Sequence, residues 1–369
     1  NAANKIFENF VNIDELQTLA SKRISKCFGT EAAVITASAA GGLTESVAAM
    51  MTGNDLKKIY RLPDTNKMKN EVLIQRGHLT NYGAEVGQGI LLSGAKILSC
   101  GLKKSCSITD LEKAIRKNRK NIACAMYVVS HHCSDYNSVD LKKFLSICKK
   151  HRIATIVDAA SEEYMEDFFK LGADVAIFSA HKFMGSLTAG IIAGRKKFIK
   201  NIYLQNLGIG RGMKVGKESI YAAIIGVEFW YKRDLKKELN KQNKIIEYWI
   251  KYLNKKNYKG ISYEIIPDPT GNKINRLRLY VNYKYSKFTA QSLAHFLEKN
   301  NPSIFVRDDL IHYNHFELDT CNLKNNQEKI VMKEMDKTIK KLLSKKIKNN
   351  IAQKEYDDFS KNNWLSWLG

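Results

Sequence analysis

No stretch of this sequence is apolar for long enough to cross a bilayer. The longest runs, "IACAMYVV" and "YAAIIGVEFWY", fall well short of the ~20 residues a spanning helix needs. No basic-then-apolar leader with a small-residue cleavage site opens the chain, so a cytoplasmic protein with no membrane partner is expected. The first residues, "NAANKIFENF", lack an initiator methionine and read like the middle of a helix, from which a missing upstream segment is expected. Paired cysteines are lacking too. The seven present, Cys27, Cys100, Cys106, Cys124, Cys133, Cys148 and Cys321, form no CxxC pair and are odd in number. That argues against a disulfide framework or a zinc ribbon and for scattered buried or half-buried thiols.

Acidic residues are in short supply: 37 against 60 basic ones, a formal charge of +23. Such a balance suits an anionic partner such as nucleic acid or a phosphorylated substrate. It equally suits a general drift toward Lys, Asn and Ile, because the lysines are spread everywhere, as in "KKLLSKKIKNN". Aromatic residues are not interleaved with arginine as on a single-strand binding platform, and no internal repeat is found.

What is present is an alternation of short apolar runs with helical patterns. Residues 13–28, "IDELQTLASKRISKCF", have helical spacing and stop at Gly29. Strand-like runs follow in "EAAVITASAAGG", "EVLIQRG", "AKILSC", "NIACAMYVVS", "IATIVDAA" and "ADVAIFSA", separated by helical segments such as "ITDLEKAIRKN" and "SVDLKKFLSICKKHR". This pattern predicts an α/β class with a mostly parallel, doubly wound sheet covered on both faces. The expected organisation is an N-terminal helical segment over 1–28, a large domain over 29–214 and a long linking helix region over 215–256. A small α+β C-terminal domain over 257–345 and a tail over 346–369 complete it. In the small domain "YEIIPD", "RLRLYVNY", "SIFVRDD" and "HFELDT" read as strands.

Ligands of parallel sheets bind beyond the carboxyl ends of the strands, which directs attention to Ser38, His78, Ser130–His132, Asp158 and Lys182. Lys182 stands in "IFSAHKFMGSLTAG", among small and hydroxylated residues, and Asp158 ends an earlier apolar run. That order suits pyridoxal 5'-phosphate: an amine for its aldehyde, a carboxylate for its ring nitrogen, and a cradle of N–H and hydroxyl groups for its phosphate. The strand-to-helix turn "TASAAGG" offers such a cradle, and His78 could stack on the ring. Each element alone has a plainer reading: Asp158 as a helix cap, His78 as a core histidine, Lys182 as a surface lysine. "SHHCS", residues 130–134, could line a substrate side but makes a poor metal site, since adjacent side chains diverge and no further ligands stand at regular spacing.

The segment from Val157 to Ile199 resembles the lysine region of fold-type I pyridoxal phosphate enzymes. It is similar in particular to the group that contains selenocysteine synthase (the L-seryl-tRNA selenium transferase) and D-glucosaminate-6-phosphate ammonia-lyase. "RLPDTNKMKNEVLIQRGHLTNYGAEVGQGILLSGAKI", "GRGMKVGKESI" and "NPSIFVRDDLIHYNHFELDTCNL" extend the resemblance over roughly residues 8–340. It implies Lys182 as the Schiff-base lysine, Asp158 as the pyridine partner, and Ser38, Ala39 and Ala40 as phosphate cradle. Ser179 and His181 would lie beside the cofactor, with Arg211 and Lys214 near the phosphate or the substrate anion. Arg307 is a candidate fork for the substrate carboxylate, with a surface arginine paired to Asp308 or Asp309 as its alternative. Glu162 is a candidate for acid–base assistance, or else an exposed glutamate at a helix start. The resemblance also implies a homo-oligomer. The chain departs from it in lacking the glycine-containing leading segment, and in Ala180 and Ser186 where lyase-type members carry glycine and glycine-proline.

The expected activity is an ammonia-lyase or β-eliminating lyase acting on a small anionic amino acid or amino-sugar acid. A selenium-transferase-like enzyme on seryl-tRNA, an aminotransferase, and a non-catalytic RNA-binding protein on the same scaffold remain as alternatives.

Overall fold

The computed structural model describes residues 2–133 and 136–363. It divides at Arg233/Asp234 into two compact units. The expected helix region over 215–256 consists of two helices, Lys217–Lys232 and Leu235–Lys256, and the division falls between them. Asp234 stops their fusion: its side chain accepts the N–H of Lys237 and starts the second helix afresh.

The first unit is built on a seven-stranded sheet. Its strands are β1 (Ala32–Thr36), β2 (Glu71–Gln75), β3 (Lys96–Cys100), β4 (Ile122–Val128), β5 (Thr155–Asp158), β6 (Val175–Ser179) and β7 (Gly190–Gly194). They lie in the order β1-β7-β6-β5-β4-β2-β3. From β6 to β3 all neighbours are parallel, while β7 runs antiparallel to both β6 and β1. Two reversals restore direction, so β1 ends on the same edge as β2, β4, β5 and β6. Every residue of β1, β5, β6 and β7 is buried, as expected of strands covered on both faces. One core layer centres on Phe28, Phe144 and Phe178, the other on Val47, Ile74 and Ile156. The strand β7 was absent from the sequence reading, because five residues bounded by glycine at both ends give no alternating pattern.

The helix Ile13–Phe28 has the expected limits. Asn12 caps its start, and Gly29 ends it with φ 67°, a conformation that favours glycine. Its buried face carries Leu16, Ala20, Ile24 and Phe28. Gln17 on the same helix faces the free side of β1: its amide donates to the Ile35 carbonyl at 2.8 Å and accepts the Ile35 N–H at 3.0 Å. Ser21 accepts the N–H of Ala33 in the same way. Backbone groups at a buried sheet edge are thereby satisfied without another strand.

The second unit holds an antiparallel sheet in the order β10-β9-β8, with β8 (Ile261–Pro267), β9 (Asn275–Val281) and β10 (His315–Leu318). Helices Leu235–Lys256, Ala290–Glu298 and Gln327–Leu343 enclose its core around Trp249, Phe288 and Phe316. The segment "SIFVRDD" is not a strand, contrary to the sequence reading. Only Arg307 pairs, exchanging both backbone hydrogen bonds with Glu317 at 2.9 Å, while Phe305 is exposed. Beyond residue 345 the chain forms a further helix, Gln353–Asn363, and Ile351 and Tyr356 are buried in the same core. The two tryptophans of the C-terminal tail lie outside the described residues. No described helix is long and apolar enough to cross a membrane.

Replacing Gln17 by leucine strands the Ile35 N–H and C=O at a buried edge. A loss of about 1–3 kcal/mol in urea unfolding is expected. An unchanged midpoint would show that water replaces the amide.

Candidate active site

The shared strand edge collects the expected residues of the first unit. Ser38 follows β1 in extended backbone and caps the helix Ala39–Thr52, its Oγ accepting the N–H of Gly41 at 3.0 Å. The first N–H groups of that helix, at Ala39 and Ala40, precede any intrahelical bond and form the positive end of its dipole. Close packing explains the run of small residues. A Cβ on Gly42 would lie 2.9 Å from Thr36 Oγ1, and one on Gly190, at the start of β7, would lie 2.4 Å from the Ser38 carbonyl oxygen. The turn Ile209–Met213 reaches the same place, with the Met213 sulfur 3.4 Å from a Cβ built on Gly41. Arg211 on that turn and Lys214 just after it are exposed.

Asp158 ends β5, the central strand. Its carboxyl is buried, and burial pushes its pKa up to about 6, opposed by the charge of Lys182 and by the Ala160 N–H. The chain beyond β5 and the chain of β6 close against each other: Ala159 N–H donates to the Ile177 carbonyl and Ser179 N–H to the Ala160 carbonyl. That contact sets Ser161 beside Lys182, whose Nζ donates to Ser161 Oγ at 2.5 Å. Ser179 Oγ and His181 Nδ1 are hydrogen-bonded at 3.0 Å. Lysine, aspartate and serine thus meet at the ends of two neighbouring strands.

Four expectations need correction. His78 does not present an open face: it is 1% exposed, its Nδ1 accepts the Val128 N–H at 3.1 Å, and the Tyr127 ring lies edge-on at 4.4 Å. Burial lowers its pKa to about 4, so it is a neutral core histidine at the level of Asp158. Arg307, in the second unit, stands among carboxylates, with Asp319 at 3.6 Å, Asp309 at 3.8 Å and Glu317 at 3.9 Å. Asp309 is one of the two partners named in the alternative reading of this residue. Asp308 is not its partner and instead accepts from the Tyr356 hydroxyl. Glu162 is buried rather than exposed. The rings of His131 and His132 do not diverge; their centroids are 4.0 Å apart. Of the segment 130–134, Ser134 lies outside the described residues.

Two further residues were not among the expected ones. Ser161 holds the lysine amine. Burial and the field of Asp158 raise the pKa of the Tyr82 phenol. Cys133, within the expected segment 130–134, is pushed up to about 11 by burial, with the charges of Asp158 and Glu162 adding to the effect. Ser161 has a sequence signal, as a hydroxyl three residues beyond Asp158; Tyr82 arrives through the fold.

The family model for SelA, L-seryl-tRNA selenium transferase, matches residues 30–258. The chain belongs to that family. It is 31% identical over 323 residues to D-glucosaminate-6-phosphate ammonia lyase of Salmonella typhimurium (strain 14028s / SGSC 2262), covering 88% of this chain and 85% of the relative. A 5'-C-glycyluridine monooxygenase-decarboxylase of Streptomyces sp is 29% identical, over 89% and 82%. L-seryl-tRNA(Sec) selenium transferase of Aquifex aeolicus (strain VF5) is more distant, at 24% over 72% and 65%. Among solved structures, D-glucosaminate-6-phosphate ammonia-lyase superposes with a TM-score of 0.79 at 29% identity, covering 92% of this chain and 89% of that one. These relatives are pyridoxal phosphate enzymes, and the fold is that of fold type I, as the resemblance implied.

Asp158 has a folded pKa above its ordinary 3.8, so the folded state favours the protonated acid and stability falls as pH rises from about 4 through about 6. A pKa of about 6 in place of 3.8 corresponds to ~3 kcal/mol. Asp158→Asn is therefore expected to melt higher than the parent at pH 7.5, in cofactor-free protein, with the gap closing at pH 4.5. A gap independent of pH would assign the effect to packing.

Proposed function

We propose that this protein is a pyridoxal-phosphate-dependent lyase that acts on a small anionic amino acid or amino-sugar acid. The observation that carries the reading is the meeting of the Lys182 amine and the buried Asp158 carboxyl at adjacent strand ends, on the sheet edge that also bears the Ser38 turn. The residues fit the cofactor. A buried carboxylate facing the Lys182 cation suits a protonated ring nitrogen, and glycines packed against Thr36, Ile192 and the Ser38 carbonyl fix the turn that offers its first helical N–H groups to an anion.

In this reading the N–H groups of Ala39 and Ala40, with Ser38, hold the phosphate. Arg211 and Lys214, exposed on and beside the neighbouring turn, draw in the anionic end of cofactor or substrate. The buried Asp158 carboxyl, as carboxylate, would hold the cofactor's ring nitrogen protonated. The cofactor, when bound, would supply an electron sink for the substrate's α-carbon. Lys182 would be the residue that holds its aldehyde carbon, and its amine, when free, the base placed to take the substrate's α-proton. Ser161 steers that amine by hydrogen bonding. Tyr82, sensing the charge of Asp158, supplies a hydroxyl on the same side. Ser179 and His181 brace the turn that carries the lysine. His78, held by the Val128 N–H, is a positioning residue in the wall. Loss of the β-substituent, a hydroxyl leaving as water, would complete the elimination, and hydrolysis of the released product's imine form would free the α-nitrogen as ammonia.

Scattered free thiols support a reducing compartment, the cytoplasm, and the family resemblance supports a homo-oligomer. A second reading, action on seryl-tRNA, draws on the +23 charge and the name of the family model. The higher identity to the lyase favours the first.

Protein reconstituted with pyridoxal phosphate should show a near-visible band that borohydride bleaches while attaching the cofactor to Lys182 by mass; Lys182→Ala should lose both. No band, or attachment elsewhere, overturns the reading. For the tRNA alternative, band shifts with bulk tRNA at about 50 and 200 mM salt should show any binding collapsing at the higher salt, as purely electrostatic attraction does. Binding that persists would favour seryl-tRNA.

A further inference from the structure

Cys100 and Cys106 stand apart from the other cysteines. Their sulfurs are 3.7 Å apart, at the end of β3 and across the hairpin that follows it. The hairpin is closed by the Leu102 N–H donating to the Ser105 carbonyl, and Cys106 is tied on its far side by its N–H to the Asn137 carbonyl. Gly101, with φ 74°, makes the turn and brings the two cysteines together; a Cβ there would lie 2.6 Å from that of Cys106. Both thiols are nearly covered, at 5% and 6% exposure, yet the hairpin tip over them is open, with Leu102 at 67%. Neither takes part in the chemistry described above.

The geometry points to a reversible redox modification site, in which we propose that Cys100 and Cys106 form a disulfide when the protein meets a peroxide. The sulfurs need to close by about 1.7 Å to reach bonding distance, a movement within reach of a side-chain rotation and a small hairpin shift. Cys106 directly precedes Ser107, the cap of the helix Ile108–Asn118, whose positive end favours a thiolate there, and the hydrogen bond it shares with Cys100 acts in the same direction, which makes Cys106 the attacking sulfur. Its thiolate attacks one peroxide oxygen, the O–O bond breaks, and hydroxide leaves, forming a sulfenic acid. Cys100 sulfur then displaces the sulfenic oxygen as water, forming the S–S bond. In balance, two thiols lose two electrons and two protons, and one hydrogen peroxide becomes two waters. A thiol reductant reverses the change. The hairpin so fastened also backs the wall of the site: a Cβ on Gly77 would meet the Lys103 carbonyl oxygen at 2.6 Å, next to His78.

The test uses the full chain, treated with stoichiometric hydrogen peroxide, alkylated and cut with trypsin. Cleavage at Lys96, Lys103, Lys104 and Lys113 puts the two cysteines on separate peptides, "ILSCGLK" and "SCSITDLEK". The expected result is one joined species that dithiothreitol splits, in most molecules, with the other five cysteines alkylated. In Cys100→Ser, Cys106 should accumulate as a sulfenic acid trapped by dimedone; in Cys106→Ser, Cys100 should stay reduced. Both peptides alkylated separately, oxidised to sulfinic acid, or joined to other cysteine peptides would overturn the proposal. Equal oxidation of Cys100 in Cys106→Ser would overturn the assignment of the attacking sulfur.

Discussion

A carboxyl group buried at the end of the central strand is the constraint around which the first unit is arranged. Charge at Asp158 is costly there unless something compensates for it, and its raised pKa records that cost. Each flanking segment answers it differently. The chain after β6 brings Lys182, whose charge lowers the pKa of Asp158. The chain after β4 brings Cys133, pushed away from ionisation, and the chain after β2 brings a histidine held neutral and a tyrosine whose phenol keeps its proton. Among the described residues, the surroundings thus hold one nearby cation, Lys182, and a second buried carboxyl, Glu162, with otherwise neutral polar groups. Such a setting keeps the carboxyl poised for a cation and leaves the amine as the group of changeable charge.

The reversed strand fixes the turn after β1. Because β7 runs against its neighbours, its first residue, Gly190, arrives at the edge where the other strands end, pressed on the Ser38 carbonyl. The turn after β1 is held from below by β7 and from the side by Met213. A helix start fixed on two sides presents its N–H groups without reorganising, which is what electrostatic binding of a phosphate requires.

The alternation of apolar runs and helical spacing made the large sheet legible, down to the Gly29 stop of the first long helix. Asp158 and Lys182 were legible because a strand end followed by small residues is an unusual place for either. The reversed β7 was not, since its glycines are dictated by contact with a turn over a hundred residues earlier. "SIFVRDD" has the composition of a strand, yet only Arg307 finds a partner. Its neighbourhood of carboxylates depends on Glu317 and Asp319, which the order of residues does not bring near. For His78 the sequence located the strand end but not the orientation: the same residue can face a ligand or accept a backbone N–H, and the adjoining strand decides. Tyr82 carries no local mark and acquires meaning only when the strand ends line up.

Gln17 has a consequence beyond the stability of its helix. By offering one donor and one acceptor to the outer side of β1, its amide imitates the backbone of a missing neighbour. An extended peptide or a second copy of the chain therefore finds no ladder of free groups to join at that margin. The sheet is finished there by a helix, and growth strand upon strand is blocked on that side.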